Sequence, residues 1–208
     1  MASGLWLLSF GAGVSQTVLD RSSLLPDGGF EQKKFCPGDY NNQSLRTLAK
    51  WQQPTQGTPD HFVSCSSRAG VPKNRFGEEA ALEGEAYGGL VLFSRSKWRY
   101  REYLSAKMKR ELAPNEWVCI SVWLSAAETA GIVADGFGVH LSPARPRGER
   151  DFLLEVTPQM ENPAGHFIEV KEGWVKLSDA VQAEGGEHWL TLGNFQPKGV
   201  TRLAASAD

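Results

Sequence analysis

The segment Trp117-Val-Cys-Ile-Ser-Val-Trp-Leu124 restricts this chain more than any other. Val118, Ile120, Val122 and Leu124 take one side of an extended backbone, and Trp117, Cys119, Ser121 and Trp123 take the other. A helix would scatter those apolar residues around its axis, so the period of two specifies a β-strand. Bulk on both sides suits a central strand covered on each face, with Trp117 and Trp123 in the core and Cys119 a buried thiol.

The same periodicity recurs along the chain. Residues 86–94 form a short apolar run between turn residues, and residues 99–112 alternate between a Tyr100, Glu102, Leu104, Ala106, Met108 face and an Arg101, Tyr103, Ser105, Lys107, Lys109 face. Phe137, Val139 and Leu141 point together after Asp135-Gly136. Further strands are predicted over Phe152–Val156, Phe167–Val170, Trp174–Leu177 and His188–Phe195, with Gly185-Gly186 as a hairpin-type turn before the last. Helical signal is confined to short turns within Asn41–Lys50 and Arg75–Leu82. Many strands at short intervals predict an all-β, two-sheet antiparallel sandwich of jelly-roll type, a single domain over residues 16–208.

Composition narrows the setting. With 22 Lys+Arg, 24 Asp+Glu and a net charge of −2, the chain has no basic face for a nucleic-acid backbone. The densest basic run, Lys97 to Arg110, carries Glu102 and interleaved aromatics and reads as a solvated strand face. Residues 1–15 are small and apolar without charge, the pattern of a trimmed secretory signal ending near Gly13 and Ser15; the alternative is a first strand. That run is too short to span a bilayer. Of the three cysteines, Cys36 and Cys65 flank loop-like sequence, and in an exported protein they are the sensible pair. Closing that loop stabilises by roughly 3–4 kcal/mol on the chain-entropy view. Three reduced thiols in a cytosolic protein are the alternative, and zinc lacks a second ligand at the right spacing.

No nucleophile elbow, His-Glu-x-x-His, Cys-x-x-Cys or phosphate-cradling loop is present. Paired carboxylates for glycoside cleavage cannot be selected from 24 acids by spacing. The aromatic inventory is more pointed. Seven tryptophans allow a flat platform on a sheet face or rim, built from Trp51, Trp98, Tyr100 and Trp123 with His61, Asp60 and Arg101 as polar groups; the residues selected for ligand contact are Trp51, His61, Trp98 and Tyr100, and filling of the sandwich core is the alternative for each tryptophan. Sugar rings offer apolar faces edged by hydroxyls, which suits an aromatic plane with a few polar groups. Trp98, between Lys97 and Arg99, has the strongest claim to exposure.

Several stretches together resemble a family. These are Leu25-Pro-Asp-Gly-Gly-Phe-Glu31, Cys36-Pro37, Trp51-x-x-Pro-Thr-x-Gly-Thr-Pro-Asp-x-Phe-x-x-Cys65 and Gly70-Val-Pro-x-Asn-x-Phe-Gly77, followed by Tyr100-Arg-Glu-Tyr-Leu104, Ala134-Asp-Gly-Phe-Gly-Val139 and Gly185 through Phe195. They are similar to galactose-binding-like jelly rolls, akin to carbohydrate-binding modules, of bacterial envelope proteins. In those proteins the module stands ahead of other domains, often an outer-membrane-protein-A-like peptidoglycan-binding domain or a sorting tail.

The resemblance implies a Cys36–Cys65 bridge and a structural calcium held in part by Glu31. Calcium needs several further oxygens, and the family's second acid comes from a last strand with an Asp-Asp-Val pattern that this sequence lacks. The expectation is therefore a truncated chain, an incomplete calcium site or a sandwich lacking one edge, with a solvent-facing strand residue as the alternative for Glu31, and a further C-terminal domain missing from this chain. The function expected is a non-catalytic module at a secreted, periplasmic or outer-membrane surface that binds glycan or envelope polymer. A protein-binding scaffold of an envelope or gliding apparatus, and a polysaccharide hydrolase or lyase, are the alternatives.

Overall fold

The structure, a computed structural model, describes residues 23–39, 46–95, 100–148, 153–197 and 199–206, with the backbone of Trp6 and Leu7. Among the described residues there are fourteen strands and no helix. No helix is therefore long and apolar enough there to cross a membrane.

Two antiparallel sheets enclose the core. A three-stranded sheet has β8 (Trp117–Leu124) at its centre, with β1 (Trp6–Leu7) on one side and β12 (Val175–Gln182) on the other. A five-stranded sheet runs in the order β11 (Met160–Glu161), β10 (Phe137–Ser142), β13 (Trp189–Asn194), β7 (Leu104–Lys107), β2 (Trp51–Gln52). Three short pairs decorate the periphery. They are β3 (Asp60–Val63) with β6 (Ala86–Gly89), the hairpin β4 (Lys73–Asn74) with β5 (Gly77–Glu78), and β9 (Ile132–Ala134) with β14 (Leu203–Ala205).

Alternation explains the core directly. Val118 and Ile120 of β8 and Val181 of β12 meet Leu104 and Ala106 of β7, Phe137, Val139 and Leu141 of β10, and Leu190 and Leu192 of β13 in one buried cluster. Each fully buried aliphatic or aromatic side chain contributes roughly 1.5–3 kcal/mol by leaving water. The five-stranded sheet is covered on its other side as well, where Tyr103 and Phe195 meet Leu154 in a second cluster. The Tyr103 hydroxyl donates to Asn194 O at 2.7 Å and accepts from Leu154 N at 3.2 Å, which pins the covering segment to the sheet.

Several predicted strands take another form. Residues 99–112 give only the four-residue β7, because Arg101 through Ala106 are buried in succession and both sides of the segment are packed. Beyond it Met108 N turns to His188 O and Lys109 N to Leu24 O. The basic run is thus not a solvated face throughout, since Arg101 is 2% exposed. Of Phe152–Val156, Phe152 lies outside the described residues and 153–156 form a cover rather than a strand. Phe167–Val170 is likewise not a strand, although Val170 O accepts from Ala126 N. The predicted short turns fall partly outside the described residues; within them, Arg46–Thr47 and Arg75–Phe76 are turns.

Gly185-Gly186 is a turn, but not a hairpin. With φ of +106° and +87°, these residues carry the chain from β12 in one sheet to β13 in the other. The connection from β7 to β8 makes the same passage beside it. Backbone bonds clasp the two: Ala183 N to Glu116 O, Asn115 N to Ala183 O, Gly186 N to Leu112 O and Leu112 N to Glu187 O. The buried Glu187 carboxylate accepts from Glu184 N and Gly185 N at 2.7 and 2.8 Å and fixes the bend.

Cys36 and Cys65 are bonded, with Cα atoms 6.1 Å apart, and tie the strap of residues 23–39 to the turn after β3. The strap also pairs with 47–49 through Lys34 N to Thr47 O and Ala49 N to Gln32 O. Thiol titration of the denatured, unreduced protein should find Cys119 alone, and reduction should expose all three cysteines. Replacing Cys36 and Cys65 with alanine should lower the unfolding free energy in urea by about 3 kcal/mol.

Candidate functional site

The selected residues that are described, Trp51, His61 and Tyr100, do not form an exposed platform. Trp51 is 3% exposed, stacked on Phe30 at 4.6 Å with 19° between the planes, and its Nε1–H donates to Asp27 O at 2.7 Å. Both faces and the polar edge of that indole are engaged within the protein. Trp51 joins the strap to the sandwich core instead of meeting a ligand.

His61 is fully buried. Its Nε2 faces the Phe30 carbonyl at 3.0 Å, which can only accept, so Nε2 carries the proton and Nδ1 accepts from the Thr47 hydroxyl at 2.6 Å. Burial drives its pKa from 6.5 down to about 4, against the raising influence of the Phe30 carbonyl. Tyr100 is half-buried. Its hydroxyl donates to Glu102 Oε1 at 2.5 Å and accepts from Thr58 N at 2.8 Å, and burial together with the Glu102 bond raises it to about 12. Trp98 lies outside the described residues.

The polar partners are committed in the same way. Arg101 donates to Asn194 O at 3.0 Å and Gln196 O at 2.7 Å and lies over the Phe93 ring. Asp60 is 7% exposed. Its charge and, above all, burial raise the pKa of Glu102, whose Oε2 accepts from Val91 N at 2.7 Å.

Glu31 is a backbone staple. Its Oε1 accepts from Glu85 N at 3.0 Å and Ala86 N at 3.1 Å, linking the strap to the start of β6. A Cβ on Gly84 would lie 2.3 Å from that oxygen, so a residue without a side chain is needed there. Asp27 accepts in turn from Glu31 N and Gln32 N. Two N–H groups aimed at one carboxylate oxygen form an environment for an anion. Calcium would need oxygens in their place, and among the described residues no three acid, His or Cys side chains gather at such a point. The donor set at Glu31 does not fit the expected ion.

The structure gathers aromatics at a place the sequence reading assigned to the core. Since Val118 and Ile120 face inward, Trp117, Cys119, Ser121 and Trp123 lie on the outer face of the three-stranded sheet. Trp117 is 42% exposed, and Cys119, Ser121 and Trp123 are half-buried. Register places Gln182 beside Trp117, Ala180 beside Cys119, Ser178 beside Ser121 and Lys176 beside Trp123, all four exposed.

On β8 and β12 the result is a row of small and polar side chains with an indole at each end, and on the other side of β8 the register sets Trp6 opposite Cys119. Six strand positions separate the tryptophans by roughly 20 Å. Beyond Trp117 the Arg110 guanidinium grips Glu116 at 2.6 and 3.0 Å, and that grip holds the Glu116 carboxyl below its ordinary range. The signal available in the sequence was the content of the odd positions: a buried face would not place Cys and Ser between two tryptophans and oppose them with Gln, Ala, Ser and Lys.

No model of a known protein family matches the chain, and no curated protein matches its sequence.

Two outcomes follow from this chemistry. His61 binds its proton less readily when folded, so its stabilising contribution is complete above pH 6.5 and is lost as the pH falls toward about 4. The loss is about 3 kcal/mol. Asp27 and Glu102, both raised by burial, act in the opposite sense, so His61 is isolated by comparing urea unfolding of the protein and His61→Gln across that window. Glu31→Ala removes the acceptor of two N–H groups, one of them solvent-exposed, and should cost about 0.5–1.5 kcal/mol. That cost should be equal in calcium and in chelator; a loss seen only with calcium present would make Glu31 a calcium ligand.

Proposed function

We propose that this protein is a binding module of an exported or cell-surface setting that recognises glycan or envelope polysaccharide on the outer face of its three-stranded sheet. The observation that carries the reading is the outer-face pair of Trp117, exposed, and Trp123, half-buried, set at the two ends of a row of small and polar side chains on β8 and β12. An indole supplies a flat apolar plane for the C–H face of a sugar ring. Gln182, Ser178, Ser121 and Lys176 supply donors and acceptors along the span for ring hydroxyls. A polymer fits such an open face better than a small compact ligand, which is normally enclosed in a pocket.

Two features support the setting. The Cys36–Cys65 bridge belongs to an oxidising compartment. The resemblance to galactose-binding-like jelly rolls of bacterial envelope proteins points the same way, and the antiparallel sandwich is compatible with that family's fold.

Affinity electrophoresis through gels containing soluble polysaccharides tests the reading. A bound polymer should retard the protein, and Trp117→Ala and Trp123→Ala should each weaken retardation by about fivefold or more, as for a central aromatic contact worth over 1 kcal/mol. Circular dichroism should show both variants folded. Trp51→Ala should instead lose about 3–5 kcal/mol of stability. Migration unchanged by every polymer, or retardation insensitive to both outer-face variants, would reject the glycan platform and favour a protein partner.

A further inference from the structure

Past the Trp123 end of β8 lies an open cleft that the platform does not use. Its floor is the β4–β5 hairpin, which packs on the loop following β8: Glu78 N donates to Glu128 Oε2 at 3.0 Å and Thr129 N to Phe76 O at 3.2 Å. Ser125, two residues beyond Trp123, donates to Glu79 at 2.7 Å, and Glu79 also accepts from Gly173 N. The hairpin is held from within. Asn74 Oδ1 accepts from Phe76 N at 2.9 Å, and Asn74 Nδ2 donates to Tyr87 Oη at 2.8 Å and Gly70 O at 3.2 Å. Behind it runs an aromatic row, Phe76 to Phe62 to Tyr87 to Trp174, with ring centroids 5.2–5.8 Å apart.

The wall of the cleft is formed by Ser67, Arg68, Lys73, Asn74 and Arg75. Three cations and Ser67 thus border one shallow, open depression, in a chain whose overall charge is −2. The grouping is local and not the overflow of a basic protein. Arg68 pairs with Asp39 at 2.8 Å and Lys73 with Glu78 at 3.1 Å, and all four side chains reach solvent. Ion pairs this exposed are worth little, so an incoming anion can exchange with Asp39 or Glu78 at small cost. Arginine in particular presents a planar fork that matches a carboxylate or sulfate. A neighbouring depression shares Lys73, Asn74 and Arg75 and adds Glu78 and Glu128, whose charge disfavours an anion on that side.

We propose that this wall is an anion subsite and that the protein selects acidic polysaccharides over neutral ones. The proposal rests on the glycan platform described above: a polymer lying along β8 brings an acidic substituent past Trp123 to the guanidinium groups of Arg68 and Arg75.

The test uses the whole chain and matched pairs of polymers that differ only in charge: polygalacturonate and its methyl ester, hyaluronan and its carboxyl-reduced form, and dextran sulfate and dextran. In at least one pair the acidic member should bind about tenfold more tightly, and the advantage should shrink as salt is raised. The double variant Arg68→Gln/Arg75→Gln should bring the acidic member down to its neutral counterpart while leaving the neutral one unchanged. Trp117→Ala should weaken both members together. Equal binding within every pair, or an acidic preference that survives the double variant, overturns the subsite and leaves the platform standing. Acidic binding that Trp117→Ala leaves intact overturns the platform and with it the joint path proposed here. Silence across all pairs by folded protein overturns both.

Discussion

A buried backbone N–H without an acceptor costs about as much as a lost hydrogen bond, and this chain runs for long stretches outside regular ladders. Carboxylates supply the missing acceptors. Asp27 takes the N–H groups of Glu31 and Gln32, Glu31 those of Glu85 and Ala86, Glu102 that of Val91, Asp135 those of Gly165 and Arg202, and Glu187 those of Glu184 and Gly185. Asp135 extends the β9–β14 pair and ties Gly165 to it, and the others join segments that no ladder joins or close a bend. The sandwich stands on its two ladders, and the long connections stand on these acids. Five of the 24 acids are thus engaged in holding backbone.

The strap of residues 23–39 shows how these contacts reinforce one another. It is fixed covalently at Cys36, by Glu31 to β6, by the Asp27 carbonyl to the Trp51 indole and by the Phe30 carbonyl to His61. Loss of one contact exposes groups that the others depend on, so energies along the strap are not additive. The Trp51–Cys65 segment, which carries aromatics and prolines in the manner of a binding loop, is the opposing half of this joint. Its aromatics are specific because their partners inside the molecule are specific.

Strands with an unbroken ladder and an alternating apolar pattern were legible. β8, β10 and β13 fall within a residue or two of the alternating segments, because inward side chains at every second position leave a direct trace in the sequence. The disulfide was legible from the loop it closes. The segment around Tyr103 was not, since burial on both sides erases the relation between polarity and facing: Arg101, Glu102 and Ser105 are as hidden as Leu104. Gly185-Gly186 announced a bend, but which sheet lies beyond it depends on partners remote in sequence. Trp51 and His61 were misplaced for a similar reason, as the groups that bury them, Asp27, Phe30 and Thr47, cannot be associated with them by spacing. Trp117 and Trp123 were misplaced because size was weighed above the company they keep.

The paired crossings at residues 112–116 and 183–187 impose an asymmetry on the whole body. Both layers are creased together at one end, beside Trp117, so they cannot slide past each other there without tearing the clasp. Among the described residues the far rim has no second clasp of this kind: the β4–β5 hairpin there is held by side-chain bonds from Asn74, Glu128 and Ser125.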